Sequence, residues 1–190
     1  MPITELLKRN AKEFGSDTAL VEINPEVKEI RRVTWKEYEL IESGTSETFR
    51  REITWSAFNE KANRCANLLM SRGIKKENKV GILLMNSLEW LPVYFGILKT
   101  GAVAVPLNYR YTAAEIKYCL ELADIDALFF GPEFIGRMEE ICEDIPNVKL
   151  LFYTGDICPS FAENYLHLAA NFSSAEPDVK ISDDDDAAIY

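Results

Sequence analysis

Apolar residues along this chain follow two spacings in turn, one typical of buried strands and one typical of helices. Residues 79–85 form a nearly continuous apolar run, which is typical of a strand buried on both faces of a sheet. Apolar positions from Phe58 to Leu69 repeat at a helical period and predict a helix over residues 54–72. The same patterns predict further elements in strict alternation: helix 86–100, strand 102–106, helix 113–123, strand 127–130, helix 133–143 and strand 148–153. This alternation predicts an α/β fold with a mostly parallel sheet flanked by helices, which binds ligands at the carboxyl ends of its strands.

Polar residues before three of the predicted helices indicate where those helices begin. Thr54 is suited to cap the first. Thr112 followed by Glu115 forms a capping box, in which each side chain bonds the other residue's main chain. Asn86 followed by Glu89 resembles the same box, with Asn in the Thr position. We therefore expect helices to start directly after Thr54, Asn86 and Thr112.

The pattern divides the chain into three regions. Residues 1–53 contain a predicted helix (3–14), a strand (18–23) and a highly charged stretch, residues 26–52, which is interpreted as an insertion or a hairpin. Residues 54–155 form the α/β unit. Residues 156–190 are polar with apolar islands and are interpreted as an irregular or partly helical linker.

Composition and charge narrow the class of protein. A net charge of -10 argues against a nucleic-acid-binding protein, because phosphate backbones require clustered Lys and Arg. The four cysteines show no C-x-x-C pair or zinc spacing, so free thiols in a reducing compartment are expected. The most apolar stretch, residues 88–107, is interrupted by Glu89, Pro92 and Lys99 and is not a membrane span. Without an N-terminal signal pattern, the prediction is a cytoplasmic protein.

The stretch Asn86–Asn108, with sequence NSLEWLPVYFGILKTGAVAVPLN, resembles one found in AMP-forming acyl-CoA synthetases and related adenylate-forming enzymes. In that superfamily an Asn follows a strand, an acidic residue stands three places later, and an apolar helix precedes Gly-Ala-Val and a strand ending in Pro-Leu-Asn. The segment Leu107–Glu115 is similar to the family as well, as are Thr54-Trp55 and Phe14–Val21. The resemblance implies the large N-terminal domain of an adenylate-forming enzyme.

The resemblance also implies an activity and its substrates. Such enzymes activate a carboxylic acid with ATP and Mg²⁺ to an acyl-adenylate and pass the acyl group to coenzyme A. They bind ATP with a Ser/Thr/Gly-rich loop that ends in Pro-Lys-Gly, and no such loop occurs in this sequence. Asp183–Tyr190 is similar to the lead-in to that loop. We therefore expect this chain to be a fragment, inactive alone, whose linker leads into an ATP-binding core.

Three residues are candidates for binding coenzyme A through its phosphates. In some family members such contacts come from residues after the Gly-Ala-Val strand and from a later basic residue, and the matching residues here are Asn108, Arg110 and Arg137. Arginine suits phosphate because its guanidinium donates two parallel hydrogen bonds. The competing interpretation of both arginines is that they are ordinary surface residues. No catalytic or metal-ligating residue is predicted.

Other functions remain open at this point. A related enzyme that loads a carrier protein would share these residues, and so would a non-catalytic binding module on the same scaffold. The expected partners are a small carboxylic acid, ATP and coenzyme A. An unpaired sheet edge and an exposed apolar face also predict self-association into a homo-oligomer.

Overall fold

The structure, a computed structural model, describes residues 1–24, 32–35, 38–41 and 49–190. Its α-helices are α1 (Ile3–Glu13), α2 (Trp55–Ser71), α3 (Trp90–Lys99), α4 (Ala113–Leu122), α5 (Ile135–Ile141) and α6 (Tyr165–Ala169). Its strands are β1 (Thr18–Asn24), β2 (Arg32–Trp35), β3 (Tyr38–Ile41), β4 (Phe49–Thr54), β5 (Lys79–Leu83), β6 (Val103–Pro106), β7 (Ala127–Phe130), β8 (Leu150–Tyr153) and β9 (Glu163–Asn164). Short 3-10 turns over Pro132–Phe134 and Cys142–Asp144 flank α5, where the sequence predicted one continuous helix.

The predicted parallel sheet is confirmed. Its five strands run in the order β6-β5-β7-β8-β9, and every neighbouring pair is parallel. The continuous apolar run at residues 79–83 lies in β5, between β6 and β7, and its Val80 and Ile82 are fully buried. A strand covered on both faces needs apolar residues at successive positions, which explains the absence of alternation.

Side chains of successive strand residues pack into two separate hydrophobic cores, one on each face of the sheet. On one face Ile82 and Phe129 pack with buried residues of α2, α3 and α6. On the other face Leu83 and Phe130 pack with buried residues of α4 and α5. Side chains of a strand point alternately to the two faces, so adjacent residues such as Phe129 and Phe130 belong to different cores. The helices are therefore divided between the faces of the sheet.

Two of the three predicted helix starts are confirmed. The Thr54 hydroxyl accepts from the Ala57 amide at 3.2 Å, and α2 begins at Trp55. At α4 the Thr112 hydroxyl accepts from the Glu115 amide at 3.3 Å, while the Glu115 carboxylate accepts from the Thr112 amide at 2.8 Å. The complete capping box forms because both partners lie within one turn of chain.

The predicted cap at Asn86 is wrong. The helix begins four residues later, at Trp90, and no side chain caps it. Residues from elsewhere in the chain hold the intervening loop: the Glu22 carboxylate of β1 accepts from the Leu88 amide at 3.1 Å, and Glu89 pairs with Lys61 of α2. The Glu89 carboxylate is thus engaged by a lysine rather than by a helix terminus.

The N-terminal region builds two small sheets of its own. β1 pairs antiparallel with β4, and β2 pairs antiparallel with β3 as a hairpin. The hairpin lies in the charged stretch of residues 26–52, for which the pattern predicts an insertion or a hairpin. Within it, residues 26–31, 36–37 and 42–48 lie outside the described residues. No helix within the described ranges is long and apolar enough to cross a membrane.

Candidate functional site

A cavity of about 760 Å³ lies at the carboxyl ends of β5, β7 and β8. Its walls are the three loops that follow these strands, at residues 84–89, 131–135 and 153–157, together with Glu22 and Arg51 from the N-terminal sheet. Carboxyl ends of parallel strands meet at one edge of the sheet, so loops distant in sequence converge there.

The cavity lies where the strand order reverses. From β5 the chain passes through α3 on one face to β6, whereas from β7 it passes through α5 on the other face to β8. Because β5 and β7 are neighbours, their outgoing loops separate and leave a crevice between them. Open α/β sheets bind ligands at such switch points, and this arrangement makes the edge the candidate functional site.

The charge inside the cavity is mainly negative. Among the described residues, four carboxylates, those of Glu22, Glu89, Glu133 and Asp156, line it together with the guanidinium of Arg51. Glu89 is neutralised in part by its ion pair with Lys61. A bare phosphate would meet repulsion there, so this cavity suits neutral or polar groups better than an anion.

A second cleft of about 520 Å³ adjoins the first and is more apolar. It lies between β1 and residues 86–91, and Leu20, Ile23 and Leu91 contribute to its walls. Both cavities are lined by Glu22 and by residues 86–88, so one loop separates them.

The three residues predicted to bind phosphate meet on the other side of the same edge. The Asn108 side chain accepts from the Arg110 amide at 3.0 Å, which shapes the loop after β6. Arg137 of α5 reaches this loop and donates from Nη1 to the main-chain oxygens of Tyr109 at 2.8 Å and Tyr111 at 3.0 Å. The structure therefore brings Arg137 into one patch with the loop that carries Asn108 and Arg110.

Aromatic rings hold both guanidinium groups. Arg110 lies 5.3 Å from the centroid of the Tyr109 ring and donates from Nε to the Tyr109 hydroxyl at 3.0 Å. Arg137 lies 5.3 Å from the centroid of the Phe134 ring. Such stacking attracts a cation to the ring face and restricts the side chain before any ligand arrives. Two held guanidinium groups near an exposed loop are suited to phosphate, in contrast to the acidic cavity.

Sequence reasoning missed the residues that line the cavity. Glu22 comes from a different sheet, and nothing in its neighbourhood indicates that it reaches the loop after β5. Asn86 and Thr154 could have been found, because each comes within a few residues of the end of a parallel strand. Applying the carboxyl-edge rule to each predicted strand would have selected them.

Structural contacts account for three further residues, Asp185, His167 and Gly131. Asp185 pairs with Lys76 at 2.6 Å and accepts from the Ser182 amide at 2.9 Å. The main-chain amide of His167 donates to the Asn164 side chain, which caps α6. Gly131 follows β7 directly, and its amide donates to the Leu83 oxygen. Within the described ranges no group of three or more His, Cys, Asp or Glu residues could hold a metal ion.

Comparison with known proteins identifies relatives over part of the chain. A medium/long-chain-fatty-acid–CoA/3-oxocholest-4-en-26-oate–CoA ligase from Mycolicibacterium smegmatis is 34% identical over 105 residues, which are 55% of this chain and 19% of that protein. The long-chain-fatty-acid–CoA ligase FadD13 from Mycobacterium tuberculosis is 38% identical over 79 residues, which are 42% of this chain and 16% of that protein. The matched stretch thus spans less than a fifth of the length of either relative.

Solved structures share the fold. The anthranilate CoA ligase AuaEII, in complex with anthranoyl-AMP, superposes with a TM-score of 0.80 at 22% identity and covers 99% of this chain and 31% of its own. The N-terminal domain of FACL13 from Mycobacterium tuberculosis superposes with a TM-score of 0.76 at 24% identity and covers 100% of this chain and 41% of its own. The profile of the AMP-binding enzyme family matches residues 7–190. The chain therefore belongs to the AMP-binding enzyme family.

Proposed function

We propose that the protein containing this chain activates a carboxylic acid, in the first place a fatty acid, with ATP and transfers the acyl group to coenzyme A. The observation that carries the proposal is the family match over residues 7–190. The names of the relatives support the choice of acid, since both are fatty-acid–CoA ligases.

The chemistry proceeds in two balanced steps. A carboxylate oxygen attacks the α-phosphorus of ATP, and pyrophosphate leaves to give the acyl-adenylate. The thiol sulfur of coenzyme A then attacks the acyl carbon, loses its proton, and AMP leaves with the electrons of the broken acyl–oxygen bond. The first step converts a poor leaving group into a good one, and stabilisation of charge on the phosphates lowers its barrier.

The residues of this chain do not fit the triphosphate or Mg²⁺. The sequence contains no Ser/Thr/Gly-rich loop ending in Pro-Lys-Gly, and the acidic cavity at the strand ends would repel a triphosphate. For Mg²⁺, no group of three or more His, Cys, Asp or Glu residues within the described ranges is placed to hold a metal ion. We therefore assign neither ATP phosphates nor Mg²⁺ to residues of this chain. The 190-residue chain by itself is expected to release no pyrophosphate.

The patch formed by Asn108, Arg110 and Arg137 is the proposed site for the phosphates of coenzyme A. Arg110 is exposed and stacked on Tyr109, so its guanidinium is oriented at the surface. Arg137 contributes positive charge while it holds the loop by two main-chain carbonyls. Asn108 shapes the loop through the Arg110 amide. These contacts support anion binding here rather than in the acidic cavity.

The experiment that tests the proposed function is ATP–pyrophosphate exchange by the full-length protein with a panel of fatty and aryl acids. Acid-dependent exchange is the expected result, and the best acid identifies the substrate class. Formation of acyl-CoA after exchange separates this proposal from a carrier-loading enzyme, which would transfer the acyl group to a phosphopantetheine carrier instead. A folded protein that binds ATP but shows no exchange with any acid would overturn the proposal.

We also propose a cytoplasmic location and self-association. All four cysteines are free thiols, which suits a reducing compartment. Strand β6 is at the edge of the five-stranded sheet, where the bridge from Ala104 to Ala188 covers only part of it, and such an edge favours pairing with a second copy. Light scattering of the purified chain between 5 and 100 μM, about the range where weak association is seen, tests the self-association.

A further inference from the structure

Residues 170–190 lie across α2 and α3 without forming any helix or strand of their own, and we refer to them as the strap. The only regular pairing in the strap is a single parallel bridge between Ala188 and Ala104 of β6. No residue of the strap is buried, although Phe172 and Ala188 pack against one of the two cores from outside. A segment with so little buried apolar surface contributes little hydrophobic stabilisation and depends on its polar contacts.

Those polar contacts come mainly from one face of α2. Asn59, Asn63 and Asn67 are spaced four residues apart and therefore lie in a row along the helix. Asn67 donates to the main-chain oxygens of Ser173 at 2.8 Å and Ala175 at 3.0 Å.

Asn63, only 2% exposed, is the central residue of the row. It donates to the Ser174 oxygen at 2.9 Å and to the Glu176 carboxylate at 3.2 Å. Asn63 and Asn67 thus bind the main-chain oxygens of three consecutive strap residues, 173–175.

The contact at the end of the row is an ion pair between Lys99 of α3 and Glu176 of the strap. Their charged atoms lie 2.6 Å apart, and the Lys99 side chain is only 3% exposed. The Lys99 ammonium also donates to the Asn59 side chain at 2.9 Å, and Asn59 in turn donates to the other Glu176 oxygen at 2.6 Å. Glu176 is thus the carboxylate that compensates a buried lysine.

We propose that the strap detaches from the α/β unit as one body, without unfolding of the sheet, and that the Lys99–Glu176 pair is the lock that keeps it in place. The strap is held by polar contacts and contributes no buried residue, whereas the sheet packs its side chains into two hydrophobic cores. Local opening should therefore require much less free energy than global unfolding.

Because Lys99 is buried, its ion pair with Glu176 has a large effect on the stability of the docked strap. Burial lowers the pKa of Lys99, and the attraction of Glu176 offsets this only in part. The other charges that influence Lys99 are Lys8 and Glu5 of α1, which oppose one another. Without the Glu176 charge, Lys99 would be a buried cation that has lost its ion-pair partner, which is strongly unfavourable.

Two amides report strap opening and two report the sheet. The Ala104 amide donates to the Ala187 oxygen at 2.9 Å, and the Ile189 amide donates to the Ala104 oxygen at 3.0 Å, so both bonds break when the strap leaves. The Leu107 amide donates to Ile82 at 2.8 Å and the Gly131 amide to Leu83 at 3.1 Å, so both persist.

The experiment is hydrogen exchange of these four amides in the 190-residue chain, followed by NMR. Ala104 and Ile189 are expected to share one protection factor that is about a hundredfold smaller than those of Leu107 and Gly131, as sub-global opening requires. In Glu176→Gln the first pair should exchange about tenfold faster again while the second pair is unchanged. Asp178→Asn, a neutralisation two residues away on the same strap, is the matched control and should change neither pair.

A second variant, Lys99→Met, tests the role of the ion pair without relying on Glu176→Gln alone. In a Lys99→Met background no buried cation remains, so adding Glu176→Gln should have little further effect on Ala104 and Ile189. One common protection factor for all four amides, or an equal response of all four to Glu176→Gln, would show that the strap is not a separate unit. An unchanged rate in Glu176→Gln, or a full tenfold effect in the Lys99→Met background, would show that the pair is not the lock.

Discussion

Arg137 donates from Nη1 to the main-chain oxygen of Tyr109 at 2.8 Å, across 28 residues of sequence. This bond ties α5, which follows β7, to the loop that follows β6. The two strands are not neighbours in the sheet, because β5 lies between them. The long arginine side chain therefore bridges the carboxyl edge and fixes the loop that carries Asn108 and Arg110.

Replacing Arg137 should weaken binding of coenzyme A without impairing adenylation. In Arg137→Met the loop loses two charge-assisted hydrogen bonds and the patch loses a positive charge, so the KM for coenzyme A should rise about tenfold or more. Arg137→Lys should recover only part of this, because lysine keeps the charge but lacks the planar guanidinium that stacks on the Phe134 ring. The measurement is thioester formation by the full-length protein against coenzyme A concentration, with ATP–pyrophosphate exchange followed in parallel. Arg9→Met, on the exposed face of α1, is the control, and a matching loss of exchange in Arg137→Met would contradict the assignment.

Gly96 permits the close packing of α3 on α2. A Cβ at this position would lie 2.5 Å from the Cys65 Cβ and 3.0 Å from the Ala62 oxygen. Gly96→Ala should therefore lower the free energy of unfolding by about 1–3 kcal/mol, since the two helices must separate. Gly136→Ala is the matched control: nothing lies within 4 Å of its Cβ position on α5, so the change should stabilise the protein by about 0.4–1 kcal/mol. Urea denaturation of both variants compares the two, and equal effects would argue against the packing explanation.

Thr112 should contribute measurably to stability as the cap of α4. Thr112→Ala removes the acceptor for the Glu115 amide and should lower the free energy of unfolding by about 1 kcal/mol. Thr112→Ser retains the hydroxyl, so its free energy of unfolding should be close to that of the unchanged protein. Chemical denaturation measures both; if serine were as damaging as alanine, the methyl group rather than the cap would be responsible.

Acid should release the strap. Burial raises the pKa of Glu176. Hydrogen bonds from Lys99 and Asn59 and the charge of Lys99 lower it by a larger amount, so the net pKa lies below its usual value of 4.5. A lowered carboxyl pKa contributes stability that is complete above pH 4.5 and is lost as the pH falls through the pKa of the docked state.

Protection factors of Ala104 and Ile189, measured from pH 6 down to about pH 3, should fall in this range while those of Leu107 and Gly131 hold longer. In Glu176→Gln the difference between the pairs should depend less steeply on pH, and the remaining dependence should come from Asp185, whose pKa is lowered by its hydrogen bond from Lys76. A parallel fall in all four protection factors would point to general acid unfolding instead.

The sequence by itself determined the elements whose signals are local. The apolar run of β5 and the alternation of strands and helices predicted the parallel sheet, because burial on both faces requires apolar residues wherever the strand lies. The cap at Thr54 and the capping box at Thr112 were predicted correctly because donor and acceptor are within one turn of each other. The motif around Asn86–Asn108 indicated the family, which the match over residues 7–190 confirms.

Only the tertiary structure decided which distant residues meet. The Asn86 cap failed because Glu22 and Lys61, remote in sequence, reach the loop that was expected to be helical. The contact of Arg137 with Tyr109 depends on the order in which the strands assemble, and hydrophobic periodicity does not encode that order. The same is true of the ion pair between Lys99 and Glu176, which joins residues 77 positions apart. The local pattern of apolar and polar residues indicates whether a side chain is buried, but the residue that it contacts depends on chain topology. The candidate site and the strap are both built from such long-range contacts.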